Sequence, residues 1–229
     1  MKKVLKYTVA VAIVAFLLYS GVYFEDLEKV RQLRQQKAFD PAKYARDFWD
    51  NQLIGVLDRA VDVEELIELF NTNMPEAVKR YGETPGVSRV YAYLLTGEGK
   101  IVATREDGLE VSVGEPQDNP DVFVATGLYI PGNAVRDASG LVDVSKFSDT
   151  MKFNEISGEI NKIVVKEVIK PFMDEGPRVG MTVKFYGATQ VAQDATEEHL
   201  FGELLDNTGD EKEFQLVTIV PIKLELKEP

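Results

Sequence analysis

The chain has 229 residues, 26 of them basic and 38 acidic, with one histidine, no cysteine and a net charge of −12. That balance argues against nucleic acid as a partner, because binding it requires phosphates to be neutralised by Lys and Arg. The absence of cysteine excludes disulfides, thiolate metal sites, cysteine nucleophiles and a lipid-bearing thiol, while 45% apolar residues suffice to bury a core.

Lys2, Lys3 and Lys6 precede an uncharged run over residues 7–24, which Glu25, Asp26 and Glu28 end abruptly. Eighteen helical residues span about 27 Å, near the lower limit for crossing a hydrocarbon core. With lysines before the run and acids after it, positive-inside bias puts the N-terminus in the cytoplasm and the rest outside. Tyr19, Tyr23 and Phe24 suit the interfacial belt at the outer end. A cleaved secretory signal is the rival reading, but the exit Ser20-Gly21-Val22-Tyr23-Phe24 is a poor small-x-small site. The expectation is therefore an uncleaved signal anchor over residues 1–24. Without its three lysines the chain keeps 23 basic against 38 acidic residues, or −15, so docking onto anionic lipid beyond the anchor is disfavoured.

Residues 25–38 read as a charged, Gln-rich stalk. Asp40-Pro41 then restarts the chain with an N-cap and a proline at the first helical position. Ala45, Trp49, Leu53 and Leu57 recur every four residues, with Phe48 and Val56 widening the same face. Asp62 opens a second helix with Val63, Leu66, Ile67 and Phe70 as its apolar stripe, and Asn73-Met74-Pro75 opens a third that runs to Tyr81. Residues 39–82 are thus expected to form a helical subdomain.

The period changes to alternation at Val87. Val87 to Leu94 reads as a strand, turned by Thr96-Gly97-Glu98-Gly99 into Lys100-Ile101-Val102-Ala103-Thr104, a hairpin. Further strands are expected at residues 109–113 and 122–130, the latter broken by Pro131-Gly132-Asn133. A long helix fits residues 151–172, with Phe153, Ile156, Ile160, Ile163 or Val164, and Val168 in register. Strands at residues 180–189 and 214–226 close the chain around an acidic excursion over residues 196–213. Helices set apart from a meandering sheet indicate α+β, and five or six strands with one helix suit a partly open barrel of the oligosaccharide/oligonucleotide-binding (OB) type over residues 83–229.

Chemistry-bearing motifs are sparse. The single histidine, His199, argues against a Ser-His-Asp triad or a three-histidine zinc site within one chain and reads as a surface or half-buried loop residue. No phosphate-cradling loop is present, so no nucleotide cofactor is expected. Asp206-Asn207-Thr208-Gly209-Asp210 lacks the spacing and closing Glu of a calcium loop and reads as a turn. No metal is expected. Two stretches are more specific. Tyr44 and Phe48 share a helix face beside Trp49, the single tryptophan, as either a sugar-stacking surface or a packing staple. Residues 127–138 end a strand in a turn carrying Asn133, Arg136 and Asp137, as either a bidentate ligand site or a structural ion pair.

The same stretches carry a family resemblance. Phe39-Asp40-Pro41 with Tyr44-Ala45 and Trp49-Asp50, Gly132-Asn133-Ala134-Val135-Arg136-Asp137-Ala138, Phe147 to Ile160 with Phe153-Asn154-Glu155-Ile156 in its middle, and residues 180–188 together resemble a family of predicted periplasmic lipoproteins often encoded beside ribose-type sugar ABC transporters. The resemblance spans residues 39–229. It implies a helical subdomain joined to a mixed barrel outside the cytoplasmic membrane, and a link to sugar uptake. It supplies no catalytic residue, and it adds Asn154 to the candidate ligand-binding set of Asn133, Arg136, Asp137, Trp49 and Tyr44. The chain departs from the family label in having no cysteine to carry lipid. The expected function is a non-enzymatic, membrane-tethered accessory of a sugar ABC permease or its binding protein. Direct sugar binding is the alternative, and a carboxylate-dependent glycoside hydrolase a third reading.

Overall fold

The computed structural model describes residues 39–114, 119–147, 149–192 and 216–227, together with Tyr7, Ala12, Ile13 and Phe16. The expected anchor and stalk, the acidic excursion, His199 and Asp206–Asp210 therefore lie outside the described residues, apart from those four positions, which are helical. No helix among the described residues is long and apolar enough to cross a membrane. The chain divides into two units, Met1–Phe39 and Asp40–Pro229, and the second holds all the described strands.

Helix α1 (Pro41–Asp47) starts where Asp40 accepts a hydrogen bond from the Lys43 amide at 3.1 Å. It runs on through a π-helical segment, Phe48–Leu53, and a 3-10 turn, Ile54–Arg59. Strand β1 (Val61–Asp62) precedes α2 (Val63–Thr72), capped by Asp62, and α3 (Met74–Tyr81), capped by Asn73. These three starts fall at the Asp and Asn residues that the sequence singles out, because a short side-chain oxygen satisfies amides that the first helical turn leaves unpaired.

The π segment changes which residues face inward. A π turn closes from i to i+5 and so inserts one residue per turn relative to an α-helix. The buried side chains are Ala45, Phe48, Leu53 and Val56, with a five-residue step across the π segment, while Trp49 and Leu57 are only half-buried. The four-residue repeat through Trp49 is corrected accordingly. The same device recurs in the long helix. Helix α5 (Thr150–Ile163) continues as a π segment, Val164–Ile169, and α6 (Lys170–Asp174). Its buried residues step from Ile160 to Val164 and then five positions to Ile169, so Val168 turns away from the core.

Six strands follow the order β1-β2-β3-β4-β6-β5, and β2 also pairs with β5. These are β2 (Val90–Thr104), β3 (Gly108–Ser112), β4 (Val122–Ala125), β5 (Thr182–Ala192) and β6 (Val217–Lys227). The pairings from β2 through β3, β4, β6 and β5 return to β2, a closed circuit in which only β4 and β6 run parallel. Strand β1 adds to β2 in parallel outside the circuit.

The expected hairpin at Thr96–Gly99 does not form. Strand β2 runs unbroken for 15 residues through it, paired along β5 from Val90↔Ala192 to Lys100↔Thr182. Its glycines serve close approach, not a turn. A Cβ at Gly97 would lie 2.5 Å from Val63 Cγ1 and 2.8 Å from Phe185 Cζ. Strand β4 also stops at Ala125, short of the expected Ile130. Pro221, which cannot donate to a ladder, sits opposite Gly187 where the β5–β6 register slips.

Two buried layers result. Inside the circuit, Tyr93, Leu95, Ile101, Leu109, Val111, Val124, Phe185 and Ile219 pack with Val63, Leu66 and Phe70 from α2 and Phe172 from α6. Outside it, helix α4 (Ala134–Ala138) covers β2 and β5, and α5 packs against both α4 and α1. Leu94 and Ala188, paired across β2 and β5 on the outward side, are buried there. The helices of residues 41–81 are thus divided, α2 and α3 lying against β2 and α1 against α5.

Candidate functional site

Residues 126–137 do not end in an exposed turn. After β4 the chain is held by the Asp107 carbonyl, which accepts from the Thr126 and Gly127 amides at 2.8 and 2.9 Å. It then folds into the five-residue helix α4, in which Arg136 is 2% exposed and Asp137 9%. The placement of Arg136 and Asp137 at a presented turn is therefore corrected. Alternating Ala134, Val135 and Ala138 seat the helix on the sheet, and that seating draws the two charges inward with it.

Arg136 is engaged through its Nε, its Nη1 and the face of its guanidinium. Its Nε donates to Asp137 Oδ1 at 2.7 Å, and its Nη1 donates to the Phe153 carbonyl at 2.8 Å and to Asn154 Oδ1 at 3.5 Å. Its guanidinium carbon lies 3.6 Å from the centre of the Phe153 ring, a cation–π stack. Asp137 Oδ2 accepts from Gln190 Nε2 at 3.1 Å, and Gln190 Oε1 accepts from the Asn133 amide at 3.4 Å. Burial pushes the Asp137 carboxyl up from its ordinary value, opposed by the hydrogen bond and charge of Arg136 and by Gln190. Ser139 Oγ donates to the Arg136 carbonyl at 2.6 Å, and the Ser139 carbonyl accepts from Arg59 at 2.7 Å.

The two stretches singled out in the sequence meet here. The Tyr44 ring lies edge-on to Phe147 at 5.7 Å, Phe147 tilts against Phe153 at 5.5 Å, and Phe153 carries Arg136. Tyr44, Asn133, Arg136, Asp137 and Asn154 thus belong to one connected cluster. Trp49 does not: it is half-buried in the π segment, and no ring contact or hydrogen bond among the described residues joins it to the others. Nearby, Arg46 donates to Asp50 Oδ2 at 2.8 Å and pairs with Glu167 at 2.5 Å, linking one carboxylate from each π segment.

Three members, Gln190, Phe147 and Asn161, are not among the candidate site residues read from the sequence. Gln190 lies on the outward side of β5, where nothing local distinguishes it from a solvated residue. Phe147 sits in a short irregular stretch. Asn161 donates to the Ile130 carbonyl at 2.9 Å and the Gly132 carbonyl at 3.0 Å, clasping the loop that leads to α4. Asn154, Ser157 and Asn161 form a polar stripe on α5, and Ser157 and Asn161 are buried. That polar stripe was the available signal; Asn161 uses it to hold the loop, whereas the Ser157 hydroxyl is buried with no hydrogen-bond partner among the described residues. Among the described residues no group of three or more His, Asp or Glu side chains is arranged to hold a metal ion.

The family described as "Predicted periplasmic lipoprotein (DUF2291)" matches residues 12–200. A crystal structure of an OB-fold protein from Thermotoga maritima is similar at 27% identity and a TM-score of 0.67, covering 83% of this chain and 99% of that one. No protein of curated function matches the chain.

Proposed function

The chain belongs to the predicted periplasmic lipoprotein family, and from that membership we propose a non-enzymatic accessory held at the outer face of the cytoplasmic membrane, assisting a sugar ABC permease or its binding protein. The observation that carries this reading is the inward use of the candidate site. Arg136 and Asp137 spend their charge on each other, on Phe153, Asn154 and Gln190, with 2% and 9% exposure. Such a cluster fixes helix α4 on the strands and leaves its surfaces to act by shape, as a module that contacts other proteins does. Side chains such as Leu95, Ile101 and Phe185, all fully buried, line the interior of the strand circuit, as side chains fill the interior of small barrels. With no cysteine available for lipid, the tether assigned to this chain is the apolar run of residues 7–24 with its N-terminus in the cytoplasm.

Affinity purification of the full chain from detergent-solubilised membranes, read by mass spectrometry, tests the proposal. Recovery of a sugar permease subunit or a solute-binding protein is the expected result, and recovery of neither overturns it.

A second reading, direct sugar binding on the outer helical layer, is favoured by one feature. The half-buried rings of Tyr44 and Phe147 meet edge-on, Phe147 tilts against Phe153, and the residue after Phe153, Asn154, is exposed. Calorimetric titration with pentoses and hexoses checks it: heat that vanishes in Tyr44→Ala supports sugar binding, and silence across the panel removes it.

A further inference from the structure

The loop between β4 and α4 presents an apolar tip that is held rigid. Leu128 and Tyr129 are 83% and 81% exposed, whereas Ile130 immediately after them is buried. The loop is fastened on both sides of this pair. Before it, the Thr126 and Gly127 amides donate to the Asp107 carbonyl at 2.8 and 2.9 Å. After it, the buried Asn161 amide holds the Ile130 and Gly132 carbonyls at 2.9 and 3.0 Å. No charged residue occurs from Val122 to Val135, in a chain of which 28% is charged.

From this we infer that Leu128 and Tyr129 form a lipid-contacting tip that enters the interfacial zone of an uncharged bilayer surface. Three features favour lipid over a protein pocket. The chain belongs to a family described as predicted periplasmic lipoproteins, and the tether proposed above holds it beside a bilayer. Leucine with tyrosine is the pairing suited to the water–hydrocarbon boundary, where a ring buries its body and keeps its hydroxyl wet. The tip's own residues carry no charge to desolvate on entry, Asp107 lying at its base next to Gly127, while the acidic balance of the whole chain gives no attraction to anionic lipid. Two side chains alone bind weakly. A chain already tethered makes their insertion an intramolecular step, so the weak contact is populated. The double fastening means that little loop ordering opposes it.

The inference rests on the membrane attachment proposed above, and one experiment separates the two. The cysteine-free sequence allows single labelling with an environment-sensitive fluorophore at Leu128→Cys, Tyr129→Cys and, as a control, Val179→Cys, which is 61% exposed elsewhere. Each full-length labelled chain is reconstituted with phosphatidylcholine vesicles, after its thermal midpoint is matched to that of the unlabelled chain. A blue shift at positions 128 and 129, quenched by nitroxide-bearing lipid and absent at 179, is expected and is insensitive to salt. Flotation with vesicles but no shift at 128 and 129 overturns the tip while leaving attachment intact. A shift that appears only when membrane-protein extract is added overturns lipid in favour of a protein partner. Failure of the chain to float removes the attachment and this inference together.

Discussion

Inside the strand circuit, Leu95, Ile101, Val111, Phe185 and Ile219 exclude water without contributing a hydrogen-bonding side chain. On the outer side of the same strands, helices carry Arg136, Asp137, Ser139 and Asn161 into a layer that is equally buried. The first region is held by the area it removes from water, about 1.5–3 kcal/mol for each large apolar side chain. It tolerates shape errors poorly and cares little about the identity of its neighbours. The second is held by a list of specific pairings, each of which costs more when half-broken than it contributes when whole. One region therefore stabilises the fold, and the other decides where α4 and its loop are placed.

The largest expected effect breaks the second region. Arg136→Ala leaves the Asp137 carboxylate buried without its partner, and unfolding by urea is expected to show a loss of about 3–5 kcal/mol. Combining Arg136→Met with Asp137→Leu should cost less than either single change, because neither charge is left stranded. Additive losses in that cycle would mean that the pair is not coupled. Next in size is a change to the first region. Gly97→Val places a side chain where Val63 and Phe185 already lie, and overpacking of this kind is expected to cost about 1–3 kcal/mol, seen as a lowered thermal midpoint.

Tyr93 sharpens the contrast from the other direction. It is fully buried in the apolar core, and its hydroxyl has no partner among the described residues. Tyr93→Phe is expected to be neutral or to stabilise by up to about 1 kcal/mol, against the rule that core changes destabilise. Burial pushes the Tyr93 hydroxyl up from its ordinary value of 10.0. In the unfolded chain it ionises near the ordinary value while the folded chain keeps its proton, so stability is fully present below about pH 10 and falls as pH rises beyond it. Alkaline denaturation followed by circular dichroism should show a shallower fall in Tyr93→Phe. The smallest effect is expected at Arg46, whose pairs with Asp50 and Glu167 are exposed at 38–50%. Arg46→Ala should change stability by less than about 1 kcal/mol, and that little should vanish in high salt.

Much of the skeleton was legible in residues. The caps at Asp40, Asp62 and Asn73, the alternation through Tyr91, Tyr93 and Leu95, and the long helix from Thr150 follow from interactions within a few residues of each other. The α+β class and the likeness to an OB fold follow from their order. The errors share one cause. Thr96-Gly97-Glu98-Gly99 has the composition of a turn, but Val63 and Phe185, distant in sequence, crowd Gly97 and keep the strand running. The π segments at Phe48 and Val164 broke the four-residue repeat because register there is set by what the helix faces. Arg136 and Asp137 were legible as a ligand site or a structural ion pair, and the ion pair forms; their burial was not legible, because their partners Phe153 and Gln190 come from other elements. Of the candidate site, the sequence by itself determined which residues were unusual: Tyr44, Asn133, Arg136, Asp137 and Asn154 do converge, while Trp49 stands apart. Tertiary structure alone decided that Arg136 and Asp137 at the centre of this set are buried while Asn154 stays exposed, since burial depends on long-range packing that no local pattern records, and only that packing leaves Leu128 and Tyr129 as the pair turned toward the outside.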